Sequence, residues 1–202
     1  MGKTVPGPDG QPRCRWSDAA PEFLDYHDNE WGFPVGDDIR LFEKLCLESF
    51  QSGLSWRTIL NKRDSFRAAF AGFDHRKIAQ FDDDDVARLM ADPGIVRNRR
   101  KIDATINNAQ RMSELVEEEG SLAAFIWRFE PAPEALAQPQ TVSTSAASVA
   151  LSKELKRRGW TFLGPTTVFA FMQAMGLIND HAEGCVMRER ARRARAAFVP
   201  PG

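Results

Sequence analysis

Apolar positions along this chain repeat at helical spacing almost throughout. Ile39, Phe42, Leu45 and Cys46 recur at intervals of three and four, which predicts a helix leading into Glu48. Asp37 or Asp38 precedes it as a cap, because Asx and Ser side chains satisfy the free amides of a helix start. The same cap-then-stripe pattern recurs at Ser55 before Trp56, Asp64 before Phe66–Phe70, Asp74 before Ile78, and Asp82 before Val86, Leu89 and Met90. The longest stripe, Ile102, Ile106, Ala109, Met112 and Val116, stops at Gly120. Ser121 opens a helix with Phe125 and Phe129. Ser145 opens Ala146–Arg158, stopped by Gly159, and Thr166 or Thr167 opens Val168–Met175, stopped by Gly176. No strand pattern emerges, so the predicted class is all-α.

The punctuation between helices gives the domain plan. Residues 1–12 hold three prolines and three glycines and predict a flexible extension. Residues 13–187 read as one domain of two helical lobes, crossed by a proline-containing linker over residues 130–142. Residues 188–202 form a basic tail, with helix, DNA-contacting arm and disorder all open as its conformation.

Composition narrows the class. The net charge of −1 does not itself point to a polyanion. The sign is unevenly spread, however: Asp82–Asp85 is acidic, whereas Arg97, Arg99, Arg100 and Lys101 are basic, and local patches decide where an anion sits. No apolar run approaches the ~18 residues of a membrane span, and no charged-then-apolar leader is present. Three cysteines do not make a disulfide framework. The expectation is a cytoplasmic protein with no membrane partner.

Three groups of residues could carry chemistry. Cys14, His27, His181 and Cys185 are a Cys2His2 set, the donor types of tetrahedral zinc. His181 and Cys185 share a face if residues from Asp180 onward are helical. Their spacing is not that of a zinc finger, and it also fits chance scatter. Four protein ligands would leave no open position, so such a site would tie the chain ends together and not catalyse. The second group is the Pro93-Gly94 turn between two helices, followed by basic residues. Free amides at a helix start point toward anions, and Arg and Lys add sequence-independent attraction to phosphate. The third is Glu48 with Trp16, Tyr26 and Trp56 as candidate walls of a pocket, beside a bare Gly53 turn that presents Leu54. A planar base needs aromatic faces to stack on and a polar group to read its edge. Tyr26 is the only tyrosine and lies in the polar run Asp-Tyr-His-Asp-Asn-Glu, which argues against a purely core role.

Several runs together resemble the DNA-3-methyladenine glycosylase I family of bacterial alkylation-repair enzymes. They are Arg13-Cys-Arg-Trp16, Tyr26-His-Asp-Asn-Glu-Trp-Gly32, Leu47-Glu-Ser-Phe-Gln-Ser-Gly-Leu-Ser-Trp56 and Gly94-Ile-Val-Arg-Asn-Arg-Arg-Lys-Ile102. Leu151–Gly159 and Phe171–His181 extend the likeness, which covers residues 13–187. The resemblance implies a helix-hairpin-helix DNA glycosylase fold with structural Zn2+ joining the N- and C-terminal segments at Cys14, His27, His181 and Cys185. It places the base-contacting carboxylate at Glu48, the pocket aromatics at Trp16, Tyr26 and Trp56, and the duplex-entering residues at Gly53 and Leu54. The phosphate-gripping hairpin falls on Pro93, Gly94, Ile95 and Val96, with Arg97 and Arg99 beside it. Phe50 stands where some members carry an amide near the pocket, and Phe23 where some carry Tyr.

The activity implied is hydrolytic release of 3-methyladenine from duplex DNA by a base-flipping monomer without lyase activity, since no lysine directly follows the hairpin. The rival is a zinc-stabilised helix-hairpin-helix protein that binds alkylated bases without excising them.

Overall fold

A computed structural model describes residues 3–201. Among these, eleven α-helices and one short hairpin make up the regular structure, in keeping with the predicted all-α class. Met1 and Gly2 of the predicted extension lie outside the described residues.

The centre of the molecule is α2 (Asp38–Gln51), in which every residue from Leu41 to Phe50 is buried. A helix buried all round must be surrounded by others, and α2 is packed by α3 (Trp56–Asn61), α7 (Arg99–Glu119), α8 (Leu122–Trp127) and α10 (Pro165–Ala174). Asp37 caps α2 by accepting from the Arg40 amide at 2.8 Å. Its neighbour Asp38 reaches across to accept from the amides of Leu122 and Ala123, so one carboxylate anchors the start of α8. Ser55, Asp74, Ser121 and Ser145 cap α3, α5 (His75–Ile78), α8 and α9 (Ala146–Arg157) as the sequence predicts. Asp82 forms a capping box at the start of α6 (Asp83–Ala91).

Two predicted caps are displaced. Asp64 lies inside the first turn of α4 (Arg63–Ala69), which runs on directly from α3 through Lys62. Helix α10 begins before Thr166 and Thr167, at Pro165 with Gly164 as its cap, because proline's missing N–H and fixed φ suit the first helical position.

The chain ends also depart from expectation. Thr4–Pro6 (β1) pairs antiparallel with Pro12–Cys14 (β2) instead of forming a loose extension. The hairpin is pinned because buried Arg13 bridges Asp9 and Asp28, and the Lys3 ammonium reaches the Pro139 carbonyl. Short strands separated by Pro and Gly carry too little alternation to be legible from sequence. After α1 (Pro21–Asn29), the far end of the chain closes over the same region: the basic tail is helix α11 (Val186–Ala197), with Met187 and Ala191 buried. Arg195 forks onto Glu130, and the Phe198 ring packs 4.7 Å from that of Trp127. Among the described residues no helix is long and apolar enough to cross a membrane.

Candidate functional site

Where the chain ends meet, Cys14 from β2, His27 from α1 and Cys185 at the start of α11 converge. Their ligand atoms all lie within 4.8 Å of one another, and all three residues are buried. His181 stands beside them, its ring centroid 5.1 Å from that of His27. Residues 179–185 are not helical, so His181 and Cys185 do not meet as an i, i+4 pair. A turn brings them round instead, with the Cys185 amide donating to Ala182 O.

The hydrogen bonds around the two imidazoles favour a metal. His27 Nδ1 lies 2.7 Å from Asp28 Oδ1, and His181 Nδ1 lies 3.0 Å from Asn179 Oδ1. Each oxygen holds the proton on Nδ1 and leaves Nε2 as a bare lone pair, the usual arrangement behind ligating histidines. His181 Nε2 is buried without any partner, a costly state unless something accepts that lone pair. The hydrogen bond from Cys14 holds the Cys185 thiol well below its usual range, so this pair readily supplies a thiolate. Burial pushes His181 down to about 4 and keeps it neutral. Two thiols and two imidazoles fit a divalent ion of borderline softness. Gly32 makes room for this packing: at φ +84°, an added Cβ would sit 2.5 Å from His181 Cε1.

Glu48 is buried on α2, and Tyr26 beside it directly precedes His27 on α1. Glu48 Oε1 lies 2.7 Å from Lys44 Nζ, and both side chains are about 6% exposed. The same ammonium donates to the Tyr26 hydroxyl at 2.8 Å and lies over the Trp56 ring, 3.5 Å from its centroid. The Tyr26 and Trp56 rings are 5.3 Å apart. Burial, with Glu48 nearby, pushes the Tyr26 phenol well above its usual range, so it stays a neutral hydroxyl. Burial lowers Lys44 against the pull of Glu48. Trp56 Nε1 is buried without a partner. The cavity beside this cluster, lined by Tyr26, Glu30, Glu43, Lys44, Leu47 and Trp56 among others but not by Glu48 itself, measures about 30 Å³.

Lys44 is the residue that sequence reasoning missed. Its signal was available: four residues before Glu48 on one helix, it must share that carboxylate's face. Trp16 stands between the two clusters, edge-on to His27 (5.1 Å) and Trp31 (5.0 Å) and tilted 6.3 Å from Tyr26. Phe50, expected at the pocket, is in the core against Phe66 (4.7 Å) and Phe70 (5.8 Å). The reason is rotational: two residues along a helix is about 200° of turn, which sends Phe50 to the opposite side from Glu48.

Beyond Glu48, α2 ends and the turn Ser52-Gly53-Leu54 emerges. Gly53 has φ +79°, and Leu54 projects with 40% exposure. Lys101, read from the sequence as part of a basic run that attracts phosphate, points inward and donates to Phe50 O (2.7 Å) and Ser52 O (2.6 Å). It thereby ties this turn to α7. The hairpin between α6 and α7 is held by Asp92, which accepts from the Gly94 amide, and by Lys62, which donates to Pro93 O. Ile95 is buried and anchors the hairpin, so it offers no side chain to a ligand. Pro93, Arg97 and Arg99 are exposed, Val96 half so. Arg99 is paired with Asp103 and Asp83.

The chain is similar to known proteins. The family model described as methyladenine glycosylase matches residues 16–189. The chain belongs to the methyladenine glycosylase family. It is 45% identical over 177 residues to DNA-3-methyladenine glycosylase 1 of Escherichia coli (strain K12), covering 86% of this chain and 95% of that protein. It is 43% identical over 177 residues to the DNA-3-methyladenine glycosylase of Haemophilus influenzae (strain ATCC 51907 / DSM 11121 / KW20 / Rd), covering 86% and 96%. Among solved structures it is similar to 3-methyladenine DNA glycosylase I of Staphylococcus aureus, described for its recognition of 3-methyladenine. There the TM-score is 0.82 with 38% identity, covering 87% of this chain and 96% of the other. In this chain the α6–α7 hairpin and the Leu54 turn both carry exposed residues, and Lys101 ties the turn to α7.

Proposed function

We propose that this glycosylase hydrolyses the N-glycosidic bond of 3-methyladenine in duplex DNA, as a monomer in the cytoplasm. Membership of a family of glycosylases supports the reaction. The observation that carries the reading is a buried carboxylate, Glu48, already holding a cation against aromatic rings. That is the chemistry an N3-methylated adenine presents, because methylation places a positive charge on the base. A cationic base leaves with the bonding electrons and needs no proton from the protein, so water attack at the sugar carbon completes the exchange.

Each element has a role in this scheme. Pro93, Gly94, Val96 and Arg97 face the phosphate backbone, where their contribution is sequence-independent. Leu54, on its Gly53 turn, enters the duplex and fills the gap left by the extruded nucleotide. Trp56 and Tyr26 stack on the base; stacking of this kind is worth about 1–3 kcal/mol per base, comparable to the few kcal/mol lost on unstacking. Glu48 accepts from the base edge and favours its positive charge over neutral adenine. Cys14, His27, His181 and Cys185 would hold Zn2+, whose contribution is structural, fixing the β1–β2 hairpin to α11. The absence of strand-nicking is supported by Lys101, whose amine is committed to two carbonyls, and by Asn98, which caps α7 where a Schiff-base lysine would stand.

The test is incubation with methylated duplex DNA followed by chromatography of released bases. Free 3-methyladenine with intact strands is expected. Damage-specific retention of DNA without any release would overturn the proposal in favour of a binding protein.

A further inference from the structure

Lys44 raises a problem for the pocket as described. A cavity of about 30 Å³ admits one or two waters and not a purine. The Lys44 side chain lines it, and its ammonium is 2.7 Å from Glu48, 2.8 Å from the Tyr26 hydroxyl and 3.5 Å from the Trp56 ring centroid. A carboxylate, a phenol oxygen and an indole face are the three partners that a stacked cationic base would need. Lys44 has taken all three.

We propose that Lys44 is a specificity-determining residue that holds the place of the extruded base, so that a base enters only by displacing its ammonium from Glu48. This rests on the reading of Glu48, Tyr26 and Trp56 as the base site. The geometry offers the displaced side chain somewhere to go. Glu30 and Glu43 line the same cavity and are themselves held by Arg63 and Arg67. The long, flexible lysine stem can swing toward these acids without leaving its charge unpaired. Retention of Lys44 beside an incoming cation would instead set two positive charges against one carboxylate. The device therefore filters: a base that cannot replace the Lys44 contacts at Glu48 and Trp56 does not stay.

An occupied site weakens apparent affinity by the fraction of molecules in which it is open, so one open molecule in ten costs a factor of ten. The experiment titrates free 3-methyladenine into wild type, K44M and K44R, followed by tryptophan fluorescence, with urea midpoints as a check on folding. K44M is expected to bind at least tenfold more tightly, and K44R, which keeps the cation, no more tightly than wild type. K44Q, neutral and of similar length, serves if K44M does not fold. A purely structural lysine would weaken binding or leave it unchanged when replaced. Unchanged or weaker binding by the folded neutral variants overturns the proposal. Release of 3-methyladenine from methylated DNA by wild type, measured in parallel, separates the two readings. If release occurs and K44M is no tighter, only the Lys44 proposal fails; if no release occurs, the base-site reading itself fails.

Discussion

Replacing Glu48 with glutamine tests the site through stability and activity together. At 2.7 Å the Glu48–Lys44 attraction is worth about 6 kcal/mol gross at an effective dielectric constant near 20. Removing two ions from water costs several kcal/mol each, so the pair as a whole contributes little net stability. Removing only the carboxylate is different, because Lys44 then stays buried without its counter-ion, a loss of about 3–5 kcal/mol. The glutamine oxygen still accepts one hydrogen bond, worth about 1 kcal/mol. The expected destabilisation is therefore about 3 kcal/mol, or roughly 6–12 °C in Tm for a chain of this size. Adding Lys44→Met removes the stranded charge, and the double variant should return to within about 1 kcal/mol of wild type. Activity should not follow. Both variants lacking Glu48 should release 3-methyladenine at least about 100-fold more slowly, a loss of about 2.7 kcal/mol. The assays are urea denaturation followed by far-UV circular dichroism, and base release under single-turnover conditions. Wild-type release by Glu48→Gln would refute the role given to the carboxylate. Failure of the second substitution to restore stability would refute the account of the ion pair.

Other outcomes follow from the same geometry. Leu54→Ala removes an exposed side chain, so stability should change by less than about 0.5 kcal/mol while base release falls, a separation visible by comparing denaturation with kinetics. Gly32→Ala forces a Cβ to 2.5 Å from His181 Cε1 at φ +84°; it should cost about 2 kcal/mol or more and lower the bound zinc found by metal analysis. Chelation should speed amide exchange in the β1–β2 hairpin and at the start of α11, while α2 stays protected. Burial lowers Lys44 below its ordinary value, so the folded state releases that proton before the unfolded chain does. Its contribution is least favourable near neutral pH and improves as pH rises toward about 10.5. The stability of wild type relative to Lys44→Met should accordingly increase across that alkaline range in urea titrations, and a decrease would reverse the sign argued here.

How much of this was written in the sequence depends on what kind of signal each residue carried. The stripe of α2 and the caps at Asp37, Ser55, Asp74, Asp82, Ser121 and Ser145 are local, and they were legible because capping and periodicity act within one turn. The turn at Gly53 was legible for the same reason, since only a residue free to adopt positive φ ends a helix and immediately redirects the chain. Phe50 was expected near the pocket because it stands where some family members carry an amide, whereas helical rotation sends it away from Glu48 into the core. The i, i+4 spacing puts Lys44 on the face of Glu48 but does not report its burial. Its burial depends on Tyr26 and Trp56 arriving from α1 and α3, and no local pattern reports that. The β1–β2 hairpin and the docking of α11 share this character: Arg13 with Asp28, and Arg195 with Glu130, are pairings between distant parts of the chain. The four metal-ligand types were visible as a set, but the backbone that brings His181 and Cys185 together is a turn at residues 182–185 and not the helix their spacing suggested.

The central claim is that one extruded base binds at Glu48 against Tyr26 and Trp56. A crystal structure of the protein with 3-methyladenine tests it most directly. The account predicts the base stacked on Trp56 with a nitrogen in hydrogen-bonding distance of the Glu48 carboxylate. A base bound elsewhere, with the Glu48, Tyr26 and Trp56 contacts undisturbed, would contradict it.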